Sequence, residues 1–192
     1  MTTLGLFGYG SLVLAESAAM TLGRAVPPPR PATLSGWRRR FSQARDNLTC
    51  EKTFEQRDGT RPEWILGLNL EPGEDDAGPV NGAVIELSEP ELHRLGVREV
   101  RYDPVDVTSL VEGPALPERI IAFTAKRAHY APTPPEEAVI LASYARAVEA
   151  AFERLGPGQL ERYRATTGPY PVDVVDAVLV KDEIPAGNPR AW

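Results

Sequence analysis

The chain has 192 residues, 42% hydrophobic and 25% charged, and its 21 basic against 27 acidic side chains leave a net charge of −6. That length suits one domain with its own core, so a single domain over residues 1–192 is expected. The acidic balance argues against nucleic acid as a partner, no window approaches the roughly 18 apolar residues of a membrane span, and no secretory leader is evident.

Leu6-Phe7 reads as an apolar strand that breaks into Gly8-Tyr9-Gly10-Ser11-Leu12. This is either an ordinary strand and glycine turn, or a loop whose N–H groups face one small anionic or carbonyl-bearing ligand. Pro27-Pro28-Pro29-Arg30-Pro31 is a stiff extended connector within the domain. Strand-like runs follow at 32–44, 64–70, 80–87, 105–111 and 120–125. The first contains Arg38-Arg39-Arg40, whose alternating sides suggest surface and edge solubility. Cys50 is the single cysteine, which excludes an internal disulfide and makes a cytoplasmic location the default.

A helix is expected from Ser88, capped by Glu91, carrying Leu92 and Leu95 and stopping near Gly96. A longer helix is expected over 135–155, with Thr133 as N-cap, Glu136 completing the capping box and Leu141, Tyr144, Val148, Phe152 and Leu155 on one face. A short helix at 159–167 ends at Gly168-Pro169. Several strands, few helices and no regular β-α-β alternation indicate a mixed α/β or α+β domain on a curled sheet or small barrel.

Two histidines, His93 and His129, are too few for a histidine-based metal site or triad, and both read as surface or satisfied residues. Ser11 lacks the Gly-x-Ser-x-Gly setting of a nucleophile elbow, and Cys50 has no histidine near it in sequence. Glu74-Asp75-Asp76 reads as a solvated turn rather than a cation site. Carboxylates remain as acid–base candidates, and Glu99 stands apart at a helix-to-strand junction. It is either solvated and paired with Arg98 or Arg101, or drawn inward, where burial would raise its pKa toward the range of a general base.

Taken in order, Phe7-Gly8-Tyr9-Gly10-Ser11-Leu12, Gly36-Trp37-Arg38-Arg39-Arg40-Phe41, Leu95-Gly96-Val97-Arg98-Glu99-Val100-Arg101-Tyr102 and the 156–164 segment resemble the γ-glutamylcyclotransferase-like family. The resemblance covers residues 4–170. It implies an α+β fold with a six-stranded barrel-like sheet flanked by helices. It also implies conversion of a small-molecule γ-glutamyl substrate to 5-oxoproline and a free amine, without metal or cofactor. Glu99 matches the family's acid–base residue. Tyr9, Gly10, Ser11 and Leu12 match the loop that holds the γ-glutamyl group, and Tyr102 and Tyr163 match tyrosines of the pocket. Val13 stands where the glutathione-degrading ChaC-type branch usually has tryptophan, and Tyr102 follows Glu99 one residue earlier than in that branch. These departures place the chain with the broader family. The alternatives are a catalytically silent metabolite-binding domain of the same fold, or a cyclotransferase for γ-glutamyl-amines; the sequence is silent on oligomeric state.

Overall fold

The computed structural model describes residues 3–73 and 76–190. In chain order the elements are β1 (Leu4–Gly8), α1 (Ala15–Leu22), β2 (Arg30–Leu34), β3 (Trp37–Asp46), β4 (Lys52–Gln56), β5 (Trp64–Pro72) and β6 (Val80–Leu87). They continue with α2 (Glu89–Arg98), β7 (Tyr102–Asp106), β8 (Val111–Glu112), β9 (Arg119–Ala125), β10 (Ala138–Leu141), α3 (Ala142–Leu155), α4 (Gln159–Ala165), β11 (Val174–Val175) and β12 (Ala177–Asp182). A six-stranded sheet has the order β7-β9-β1-β6-β2-β8, a four-stranded sheet the order β11-β10-β5-β3, and β12 pairs with β4. The mixed α+β class is as expected, with the six-stranded sheet curled into a half-barrel and the four-stranded sheet lying across it.

β1 is the axis of the larger sheet, antiparallel to β6 and parallel to β9. All five of its residues are buried, which its uninterrupted Leu-Gly-Leu-Phe-Gly run requires. Alternation divides its side chains between two cores. Leu4 and Leu6 join Ala18 and Leu22 of α1 and Leu95 of α2 on one face. Phe7 faces the larger core between the sheets, with Phe41, Leu66, Leu68, Ile120, Ile140 and α3's Val148 and Phe152.

The 32–44 run divides into two strands belonging to different sheets. Gly36 takes a left-handed conformation, φ 74°, and the chain turns there from β2 into β3. The helix expected over 135–155 starts only at Ala142, so Thr133 does not cap it. Ala138-Val139-Ile140-Leu141 instead pairs in parallel with β5 and β11, where all four side chains are buried. An apolar run of this kind suits a strand covered on both faces, and burial overrides the local capping signal. The expected strand at 105–111 begins earlier, at Tyr102, and ends at Asp106, whose carboxylate accepts from the Thr108 amide (3.0 Å) and turns the chain. In α2, Ser88 is the N-cap and its amide donates to Glu91 Oε2 at 2.7 Å, as expected, but the helix runs past Gly96 to Arg98. Glu74 and Asp75 of the acidic turn lie outside the described residues.

Arg39 corrects the expectation for the arginine run, because it is wholly buried (0% exposed). No carboxylate pairs with it among the described residues. Its Nε donates to Thr167 Oγ1 (2.8 Å), its Nη1 to the carbonyls of Tyr9 (3.1 Å) and Asn81 (2.8 Å), and its Nη2 to Asn81 Oδ1 (2.9 Å), Thr166 Oγ1 (3.0 Å) and the Tyr163 carbonyl (3.3 Å). The guanidinium also lies 4.4 Å from the Tyr163 ring centroid and 4.9 Å from that of Phe152. Desolvation lowers its pKa to about 9, which leaves it charged at neutral pH. Arg39→Lys retains the charge but not the planar five-donor fork, stranding several buried acceptors. A loss of about 3 kcal/mol is expected, read as a fall in Tm of roughly 6–12 °C for a chain of this size; thermal denaturation checks it.

Candidate active site

The β1–α1 connection is a tight return. After Gly8 the chain enters a single 3-10 turn, Ser11–Val13, closed by the Val13 amide donating to the Gly10 carbonyl (3.1 Å). Gly8 makes that return possible, since a Cβ there would lie 3.1 Å from both the carbonyl carbon and oxygen of Leu12. Tyr9 is buried, and its hydroxyl donates to the Phe123 carbonyl at 2.6 Å, pinning the loop to β9. Neither Gly8 nor Gly10 has a positive φ, so the loop uses glycine for close approach rather than for a left-handed turn.

Glu99 sits at the C-cap of α2, where its amide closes the last turn on the Leu95 carbonyl (2.7 Å). Its Oε1 lies 3.1 Å from Arg98 Nε, and its side chain keeps 18% of its exposure. Burial raises its pKa and the Arg98 charge opposes that rise without cancelling it. The carboxylate is thus drawn inward rather than solvated, and it keeps the Arg98 pairing of the other reading. Arg98 is itself buried, and it reaches α1 and the loop. Its Nη1 donates to the Ser17 carbonyl (2.9 Å) and Thr21 Oγ1 (2.6 Å), while Nη2 lies 3.1 Å from Ser17 Oγ and 3.5 Å from Ser11 Oγ. One guanidinium therefore positions both the carboxylate and the glycine loop.

These groups line a cavity with two lobes. Tyr9, Gly10, Ser11, Leu12, Glu99 and Tyr102 border the smaller lobe, together with Leu68 and Tyr144. Ser11, Glu99, Tyr102 and Tyr144 also border the larger lobe, of about 480 Å³, which extends over Gln43, Arg45, Phe54 and Leu141. The Tyr102 hydroxyl donates to the Leu68 carbonyl (2.7 Å) and lies 3.3 Å from Gln43 Oε1, tying β7 to the second sheet. Six of the seven site residues named from the sequence thus meet around one space. The seventh, Tyr163, is elsewhere: it is 2% exposed, stacked on Phe152 with ring centroids 4.5 Å apart, and borders neither lobe. Its place beside Arg39 is a core position, which corrects its assignment to the pocket.

The sequence reading missed Tyr144 as a site residue. Burial raises its phenol pKa, with the neighbouring Tyr163 and Glu99 adding to the rise. A Cβ on Gly10 would lie 3.5 Å from its hydroxyl oxygen. Helical spacing with Val148 marks it only as core-facing, and its position in the first turn, where the helix end meets the cavity, carries no sequence signal. His93 and His129 border neither lobe. Among the described residues no group of three or more His, Cys, Asp or Glu is placed to hold a metal ion, and no helix is long and apolar enough to cross a membrane.

No family model and no curated protein matches the sequence. Solved structures do. A γ-glutamyl cyclotransferase superposes on 90% of this chain and 93% of its own length, with TM-score 0.59 at 16% identity. This chain has the γ-glutamylcyclotransferase-like fold. A yeast γ-glutamyl cyclotransferase specific to glutathione is similar over 87% of this chain and 98% of its own, with TM-score 0.51 at 12% identity. YkqA of Bacillus subtilis aligns over 85% of this chain at TM-score 0.55 and 19% identity, but this chain spans only 54% of the YkqA length.

Gly8→Ala tests the loop. The added methyl meets backbone rather than a flexible side chain, so a stability loss of about 1–3 kcal/mol is expected, visible as a lowered Tm. An unchanged Tm would show that the return tolerates a side chain.

Proposed function

We propose that this protein is a γ-glutamylcyclotransferase, converting a γ-glutamyl peptide, amino acid or amine to 5-oxoproline and a free amine. The observation that carries the reading is a desolvated carboxylate, Glu99, facing the same small lobe as the Tyr9–Leu12 loop. The fold shared with γ-glutamyl cyclotransferases supports it.

The substrate contains its own nucleophile. Its α-amine attacks the γ-carbonyl, a C–N bond forms to close a five-membered ring, and the C–N bond to the leaving amine breaks. Effective molarities of about 10⁵–10⁸ M for well-oriented intramolecular reactions mean that a curled binding conformation provides much of the rate. The small lobe provides that confinement. The α-ammonium must first lose a proton, and Glu99 accepts it; two protons leave the attacking nitrogen and two arrive on the departing one, so no co-reactant is needed. A raised pKa suits this work, since Glu99 must both take and return protons near neutral pH. Main-chain N–H groups opening the Ser11–Val13 turn supply donors for the developing oxyanion or the substrate's α-carboxylate. Arg98 holds Glu99 and Ser11 at a constant separation, acting as a positioning residue.

Glu99→Gln is expected to lower turnover by about 10²–10⁴-fold while leaving the circular dichroism spectrum unchanged; 5-oxoproline release followed by mass spectrometry measures it. Normal turnover would exclude Glu99 as the base. In the wild type, activity falls as pH drops through the Glu99 pKa, because only the ionised carboxylate accepts a proton. Since that pKa is raised, the acidic limb of kcat/KM is expected above the ordinary carboxylate range, and a limb at or below about 4.3 would contradict the assignment.

A further inference from the structure

The larger lobe has a chemical character of its own. Four cationic side chains, Arg45, Lys52, Arg98 and Arg101, border it against two carboxylates, Glu51 and Glu99, in a chain whose net charge is −6. Most of this charge is internally matched. Arg98 pairs with Glu99 (3.1 Å), Lys52 with Asp182 (3.5 Å), and Arg101 grips Glu51 through both Nη atoms (3.1 and 2.8 Å), while Arg190 also bonds Glu51.

Arg45 is the exception. Among the described residues no carboxylate lies within ion-pair distance of it, the nearby Glu51 charge acting on it only from further away. Among the same residues its Nη1 alone is hydrogen-bonded, to the Lys52 carbonyl (2.9 Å) and Cys50 Sγ (3.3 Å), and its guanidinium carbon lies 5.2 Å from the Phe54 ring centroid. Its Nε and Nη2 have no hydrogen-bond partner among the described residues. A guanidinium held by one end and by a ring face, with its remaining donors uncommitted in a cavity wall, is built to receive an anion.

Its position says which part of a ligand it meets. Gln43 reaches the Tyr102 hydroxyl, where the two lobes join. Arg45 lies two residues further along β3 on the same face, about 7 Å beyond. Phe54, Ile65, Leu66, Leu141 and Ala147 border the same lobe and make it largely apolar.

Resting on the cyclotransferase reading, we propose that Arg45 is a specificity-determining residue that binds an anionic group at the far end of the leaving amine. The favoured leaving group is then an apolar body ending in a carboxylate away from the scissile nitrogen, as in a short peptide with a free C-terminus. Polyamine-like leaving groups, cationic at that end, are disfavoured by the same charge.

The test compares γ-glutamyl-leucyl-glycine with its C-terminal carboxamide, which differ only in that charge, and with γ-glutamyl-putrescine. A charge-assisted hydrogen bond corresponds to roughly 10–100-fold, so the acid is expected to exceed the carboxamide by that factor in kcat/KM. In Arg45→Met the acid's advantage should fall to within about threefold, and Arg45→Lys, which keeps a cation, should restore part of it. Equal cleavage of acid and carboxamide, or a preference that survives in Arg45→Met, overturns this proposal and leaves the cyclotransferase reading standing. Release of 5-oxoproline from no substrate overturns that reading instead. Calorimetric affinities of the acid and carboxamide for wild type and Arg45→Met then decide the role of Arg45 by the same ratio.

Discussion

Burying a guanidinium without a carboxylate is among the more costly arrangements a fold can adopt, because the lost hydration must be replaced group by group. Arg39 meets that requirement with six oxygen acceptors drawn from four places: the end of β1, β6, the last turn of α4 and the residues just after it. Each acceptor is placed correctly only when the other elements are in register. The charge therefore behaves as a constraint on assembly, linking the six-stranded sheet, the four-stranded sheet that carries Arg39, and the α3–α4 pair. Its bond to the Tyr9 carbonyl is the link that matters most for the site, since Tyr9 begins the glycine loop.

A second buried arginine does the corresponding work on the opposite face of β1. Arg98 is anchored to α1 through Ser17 and Thr21 and meets Glu99 at 3.1 Å. The loop is thus held from one side by Arg39 at Tyr9 and from the other by Arg98 near Ser11. The Arg98 contact also limits how far burial can raise the Glu99 pKa: desolvation alone would favour the protonated acid, and the adjacent cation restores part of the ionised population. A carboxylate balanced between those two influences suits repeated proton exchange better than one governed by either alone. The balance costs stability. A carboxylate whose folded pKa exceeds its unfolded one stabilises the fold only at low pH, and the contribution is lost as pH rises through the folded value.

What was legible in the sequence follows from how local each signal is. The Ser88–Glu91 cap, the glycine loop and the Glu99 junction depend on residues within a few positions, and each lies where its spacing places it. The Arg39 environment depends on acceptors as far as 128 residues away, so alternation along β3 suggested surface where the fold made core. Ala138–Leu141 illustrates the same limit, because a parallel partner more than seventy residues upstream turned the start of an expected helix into a strand. β4 and β12 escaped notice for a related reason: β4, Lys-Thr-Phe-Glu-Gln, is short and polar enough to read as loop, and the apolar start of β12 is defined as a strand by its pairing with β4. Tyr163 matched a family position by sequence order, yet Arg39 claims its carbonyl and its ring face.

The two lobes differ in how firmly the fold specifies them. The small lobe is walled by β1, its loop, α2 and α3, all anchored by buried arginines or by core contacts. The large lobe is walled partly by β4, whose sheet partner is the C-terminal strand β12, and by Glu51, which joins Arg101 to Arg190 near the chain end. Burial alone would raise the Glu51 pKa, but hydrogen bonds from Arg101 and Arg190 hold it down at about 2, so this clamp stays ionised across the neutral range. On the proposed cyclotransferase reading, chemistry common to every γ-glutamyl substrate requires an invariant geometry around one carboxyl group and one loop. Selection of a leaving group requires only that the outer wall present suitable charge and volume. On that reading, a scaffold that fixes the first through its deepest charges and builds part of the second from β4 can alter specificity without disturbing the geometry of proton transfer.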